Sequence, residues 1–430
     1  MKKAWVVSVN MGYGHQRTAY PLKFLAFEEK IINANEYPGI PRGDRKIWEN
    51  TRKFYEFISR FSRIPLIGKV SFSIYDQFQK ILSFYPKREI SKPNFALKNL
   101  FFLFKKDWGK HLVEELKIKN KELGINLPII TTFFIPAFMA AYFNYPGEIF
   151  CIVCDADVSR PWASLKPKES KIKYLVPTKR VFERLKFYGV KEENIFLTGY
   201  PLPLENIGRT EEMEILKEDL RYRIFNLDPQ KKYFEKYKIL IEENLGKLPE
   251  NSDHPLTIMF SIGGAGAQKE IGVKILRNLR EKIQKNEIKI ILSVGTREKI
   301  KEYFKKNIEN LGFKENQNIE IIFDENIESY FRKFNLALRK TDILWTKPSE
   351  LSFYTALGLP IIIAPAIGSQ EDFNMRWLLK SGFGDLQENP IHTDQWLFDW
   401  IERGYFAEHA VEGFIEGKKL GTFKIFQMLH

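Results

Sequence analysis

The chain has 430 residues, too many for one ordinary hydrophobic core and enough for two domains of roughly 150–200 residues each. Its 44% apolar and 28% charged residues exclude the disordered and fibrous classes, and its two cysteines exclude a disulfide framework and point to a reducing compartment. A net charge of +13 favours an anionic partner without choosing among nucleotide, nucleic acid and lipid.

The amino terminus, "MKKAWVVSV", has only a short apolar run and no small-residue cleavage site, so it reads as the start of a fold and not as a targeting signal. Within it "VVSV" predicts a buried strand, followed at once by Gly12-Tyr13-Gly14-His15 and a helical stretch. Two glycines at the carboxyl end of a strand let the backbone approach a ligand, and a loop histidine beside them is a candidate general base.

Residues 57–88 interleave seven Phe or Tyr with six Lys or Arg, with Asp76 the only acid. That mixture suits a segment lying on anionic lipid, or else a pair of core-facing helices. The apolar region 127–154 is cut by Pro128, Pro136 and Pro146 into pieces shorter than the ~20 residues of a membrane span, and reads as strand, helix, strand. Cys151 and Cys154 stand three apart on that last strand, face opposite sides, and are expected to be structural. Asp155 and Asp157 form a literal Asp-x-Asp. Alternate residues of an extended segment share a face, so the pair could hold a divalent metal, orient His15 or cap the next loop.

Strands "YLVPT" and "IFLTGYP" close a first domain over 1–205, and 206–254 reads as a charged helical linker. A second series, "PLTIMFSIGG", "IKIILSVG", "IEIIF", "DILWTK" and "LPIIIAP", predicts another α/β domain over 255–405, with a helical tail over 406–430 that returns to the first. Gly263, Gly264 and Gly266 form a turn able to present backbone N–H groups to an anion. Pro348 and Ser349 open a helix with Ser349 as its N-cap and Glu350 in its first turn, and Gly358 ends it. Gln370, Glu371 and Asn374 follow the next strand's carboxyl end, where open α/β sheets bind ligands. His111, His254, His392, His409 and His430 have no comparable setting.

Four segments, "GYGHQRTA", "TGYPLP", "SIGGAGA" and "TKPSEL…GLPIIIAPAIGSQEDFN", together resemble the GT-B glycosyltransferases. The likeness is to the group of monogalactosyldiacylglycerol synthase, the processive diacylglycerol glucosyltransferases and the peptidoglycan N-acetylglucosaminyltransferase. The resemblance implies two Rossmann-like doubly wound domains facing across a cleft. It implies His15 as base, with Asp155 or Asp157 nearby and Gly12, Tyr13 and Gly14 on the acceptor side. Gly263, Gly264 and Gly266 would lie against the diphosphate of a UDP-sugar, and Gln370 and Glu371 against the sugar. Where the family has a ribose-binding glutamate this chain has Phe353, and Glu350 is the carboxylate expected to take that role. The expected partners are a nucleotide sugar, a lipid or lipid-linked acceptor and an anionic membrane surface, with no nucleic acid. No cofactor beyond the co-substrate and no metal are expected. The expected place of action is the cytoplasm, peripheral on the inner face of the cell membrane. A nonhydrolysing UDP-sugar 2-epimerase, or a GT-B protein that binds without turning over, would share the fold.

Overall fold

The computed structural model describes residues 2–61, 81–263, 266–313, 318–366 and 369–430. These form two compact units, each built on a parallel sheet of six strands. The expected pair of Rossmann-like doubly wound domains is present.

The first unit comprises 1–201, 367–374 and 420–430. Its strands are β1 (Trp5–Ser8), β2 (Ile32–Asn33), β3 (Ile129–Thr131), β4 (Ile149–Ile152), β5 (Lys173–Val176) and β6 (Ile195–Leu197), in the order β2-β1-β3-β4-β5-β6. The internal strands β1, β3 and β4 are buried along their whole length, because helices cover both faces of a parallel sheet and leave no polar side to alternate with. Residues 127–154 fold as β3, a helix at Phe134–Tyr142 and β4. No helix among the described residues is long and apolar enough to cross a membrane. Of the basic aromatic stretch 57–88, residues 62–80 lie outside the described residues. The helix Gly421–Met428 completes this unit, with Ile425 and Leu429 in one core cluster with Val6, Leu22, Leu25 and Ile130.

The second unit comprises 202–366 and 375–419. Its strands are β7 (Leu256–Ser261), β8 (Ile288–Gly295), β9 (Ile319–Phe323), β10 (Ile343–Thr346), β11 (Ile361–Ile363) and β12 (Gly384–Leu386), in the order β12-β11-β10-β7-β8-β9. The stretch 206–254, expected as a linker, belongs to this unit. The reason is Arg223, on the helix Glu214–Leu227. Its buried guanidinium donates to the carbonyl oxygens of Thr341 (2.8 Å), Leu357 (2.7 Å) and Leu338 (3.3 Å), at and just beyond the ends of two helical segments. Likewise, of the tail 406–430 only 420–430 falls in the first unit, while the helix Tyr405–Glu416 packs against Glu350–Leu357 in the second.

Candidate functional site

Strand order reverses at β1 in the first sheet and at β7 in the second, and the carboxyl ends beside those reversals are where doubly wound sheets take ligands. In the first unit, the chain leaves β1 and turns at Gly12, whose φ of +96° few residues but glycine tolerate, into the helix Tyr13–Ala19. His15 is half-buried, its ring 4.6 Å from that of Phe133. Its Nδ1 lies 2.8 Å from the Thr132 carbonyl oxygen at the end of β3. A carbonyl can only accept, so Nδ1 carries the proton and the neutral ring keeps its lone pair on Nε2. Cys154 Sγ lies 3.5 Å from the same Nδ1. One turn on, Thr18 Oγ1 donates to the Gly14 carbonyl (2.8 Å) and lies 3.0 Å from the Tyr200 hydroxyl. Tyr200 belongs to "TGYPLP", so two residues 182 apart in sequence meet one turn from His15. Gly421 runs so close over the Tyr200 carbonyl that a side chain would not fit there.

The two aspartates part company. Asp157 is 2% exposed, and its four lone pairs are all taken. Oδ1 accepts from Val158 N (2.9 Å) and Arg184 Nε (2.8 Å), and Oδ2 from Arg180 Nε (2.8 Å) and Arg184 Nη2 (2.9 Å). The catalytic role expected for Asp157 therefore gives way to a structural one. Its carboxylate tethers the helix Lys179–Phe187 to the loop after β4, and it cannot share a metal with Asp155. Asp155 is half-buried and accepts from Asn374 Nδ2 at 3.2 Å, while Asn374 Oδ1 accepts from Ala156 N at 2.8 Å. Asn374 is fully buried, and its amide holds the Asp155 side chain at one end and the Ala156 backbone N–H at the other. Gln370 and Glu371 precede it in the first turns of the helix Ser369–Lys380, both half-buried and within the 367–374 segment of the first unit.

In the second unit, the turn after β7 stands beside the carboxyl ends of β10 and β11. Gly263 accepts from Gly266 N at 2.8 Å, and Gly266 has φ +72°; Gly264 lies outside the described residues. Gln268 Nε2 ties the turn to the Pro365 carbonyl at 2.8 Å, just beyond β11. Thr346 Oγ1, at the end of β10, lies 3.3 Å from the Ser261 carbonyl. The next residue, Lys347, lays its side chain across Gly263, where a Cβ would stand 2.5 Å from Lys347 Cε and 3.4 Å from Nζ. An ammonium group thus rests on the glycine turn at the sheet's reversal. Sequence reasoning passed over Lys347, although "TK" directly after an apolar strand could have marked it.

Ser349 precedes a 3₁₀ helix, Glu350–Leu357, and makes no side-chain cap bond, so the expected N-cap interaction is absent. All eight residues of that helix are buried, and Gly358 ends it at φ +64° as expected. Glu350 is 9% exposed. Because residues three apart eclipse on a 3₁₀ helix, it shares a line with Phe353, whose ring packs 5.0 Å from Trp377.

A family model described as a domain of unknown function (DUF6938) matches residues 248–317. No curated protein matches the chain in sequence. Among solved structures, the chain is similar to MurG of Acinetobacter baumannii, at 12% identity over 100% of this chain and 99% of that one, with a TM-score of 0.47. It is also similar to the UDP-GlcNAc 2-epimerase of Neisseria meningitidis bound to UDP-GlcNAc (13%, 79% and 83%, TM-score 0.45). A glycosyltransferase from Rickettsia africae is a third such structure (14%, 88% and 93%, TM-score 0.40).

Proposed function

We propose that the protein transfers a sugar from UDP to a lipid or lipid-linked acceptor, with inversion at the anomeric carbon and without a metal. The observation that carries this reading is the pair of strand-order reversals, each furnished for one half of the reaction. At the second sheet's reversal, the glycine turn and the Lys347 ammonium suit a diphosphate, whose negative charge grows as the glycosidic bond breaks. At the first, the Thr132 carbonyl takes the Nδ1 proton of His15, so that in the neutral ring Nε2 is the acceptor a general base needs.

In a single displacement the acceptor oxygen attacks the anomeric carbon and Nε2 takes its proton. The bond to the diphosphate breaks, and UDP leaves with the electron pair. The Thr132 carbonyl stabilises the imidazolium that forms, by accepting from Nδ1. Asp155, held by Asn374, is the carboxylate we assign to the acceptor side, along with Gly12, Tyr13 and Gly14. Glu350 is assigned to the ribose, and Gln370 and Glu371 to the transferred sugar.

The test is incubation of the purified protein with radiolabelled UDP-glucose, UDP-galactose or UDP-N-acetylglucosamine, with and without a lipid extract, followed by chromatography. Label in the lipid phase, undiminished by chelator, is the expected result. An isomerised nucleotide sugar that needs no lipid would replace this reading with epimerisation, and UDP binding without any product would replace it with a binding role. Transfer lost in chelator and restored by manganese or magnesium would overturn the metal-free mechanism.

A further inference from the structure

The helix Phe95–Lys105 has one face committed to the fold and one that is not. Ala96, Leu97, Leu100 and Phe104 are buried, and Asn94 caps the helix by accepting from Leu97 N. On the opposite face Phe95 and Phe102 are 66% and 54% exposed. Seven residues apart, they stand in line about two turns and 10 Å from each other along the axis. At 100° per residue, Lys98 and Lys105 flank that line on one side and Asn99 and Lys106 on the other, all four exposed. Lys106 Nζ sits 4.6 Å above the Phe102 ring. From residue 90 to residue 106 the chain has four lysines and no acid.

Two rings in a row between lysines, without a carboxylate, match one kind of surface closely. A helix lying in a bilayer plane pushes its apolar centre line into the boundary of headgroups and acyl chains, and its flanking cations meet lipid phosphates. A second copy of this chain fits poorly, because a twofold contact over this face would set lysines against lysines. We propose that Phe95, Lys98, Phe102, Lys105 and Lys106 form a docking face for an anionic lipid bilayer. This face does not rest on the sugar-transfer reading, and it lies outside residues 57–88.

The test is co-sedimentation of the full chain with phosphatidylcholine vesicles, with and without phosphatidylglycerol, at low and high salt. Binding is expected only with the anionic lipid, and it should weaken as salt screens the lysines. Each lysine near such a surface contributes about fivefold, so K98Q/K105Q/K106Q together should weaken binding roughly 100-fold. F95S/F102S should also weaken it, with thermal melts matching the parent because these rings are exposed. Parent-like binding by both variants overturns the proposal, as does equal binding to neutral vesicles. It is also overturned if only R60Q/R63Q/K69Q loses binding, if F95S/F102S instead abolishes self-association in sedimentation velocity, or if a single-stranded oligonucleotide outcompetes the vesicles. None of these readouts involves a nucleotide sugar or its transfer, so failure of the transfer reading leaves the result interpretable.

Discussion

Replacing Asp157 by asparagine keeps the side chain's shape and removes its charge. The amide can still accept from Val158 N, but its NH₂ end then faces guanidinium donors. Arg184 is fully buried and loses the carboxylate that received two of its N–H groups. Breaking a buried pair by removing one partner costs about 3–5 kcal/mol, most of it the uncompensated charge that remains. Arg180 is about a third exposed and adds little, since water solvates what it loses. For a domain of this size, such a loss lowers the melting temperature by roughly 6–20 °C. Asp155→Asn leaves an oxygen to accept from the neutral Asn374 amide, so its cost is that of weakening such a bond, about 0.5–1.5 kcal/mol. The assay is thermal unfolding by circular dichroism, with hydrogen exchange over peptides from 149–187 to place the loss in the first unit. Adding Arg184→Met to Asp157→Asn removes the stranded charge, so the double variant should melt at or above the temperature of the single one. If Asp157→Asn melted within a degree or two of Asp155→Asn, or if the double variant lost the sum of both single costs, the account of this ion pair would be wrong.

His15→Ala should lower turnover by about 10²–10⁴-fold while leaving calorimetric UDP affinity near the parent's, and equal turnover would remove His15 from the mechanism. Gly263→Ala puts a methyl group where Lys347 Cε now rests, so the lysine must swing away. If the ammonium holds the diphosphate, Gly263→Ala and Lys347→Met should each weaken UDP binding about 10–100-fold, the worth of one charged hydrogen bond, and unchanged titrations would discard that contact. In the second unit, His254 lies between Asp342 (3.2 Å) and Asp253. Burial alone would lower its pKa, but those two carboxylates outweigh burial and hold it above the ordinary 6.5. A raised folded-state pKa means the stabilisation is complete below about pH 6.5 and is lost as pH rises through the folded value. Urea melts of the parent should therefore lose stability on that rise, and His254→Asn should flatten the slope; parallel pH profiles would refute this.

The sequence made the strands legible wherever burial on both faces leaves a mainly apolar run, as in "VVSV", "IFCI" and "IKIILSV". It hid β2 and β12, edge strands of two and three residues whose text is too short and too polar to show a period. The glycine turns were legible because positive-φ backbone after a strand, as at Gly12 and Gly266, favours glycine. The difference between Asp155 and Asp157 was not legible. It depends on Arg180 and Arg184, which arrive from a helix more than twenty residues downstream. The partners of Asn374 were hidden for the same reason: the loop it grips lies over 200 residues away in sequence. Arg223 looked like any charged residue of an exposed helix, and only the carbonyls of distant helix ends show why that helix is part of a core.

The first unit's dependence on the helix Gly421–Met428 has a consequence for biosynthesis. The strand carrying Val6 leaves the ribosome early, yet its core cluster includes Ile425 and Leu429. At about 5–20 residues per second, those partners follow some tens of seconds later, after the whole second unit has been made. The amino-terminal sheet must therefore wait with apolar surface uncovered, while the unit translated later has all its own strands first. This reverses the usual vectorial order of folding, and it makes the nascent amino-terminal half a natural client for a holding chaperone.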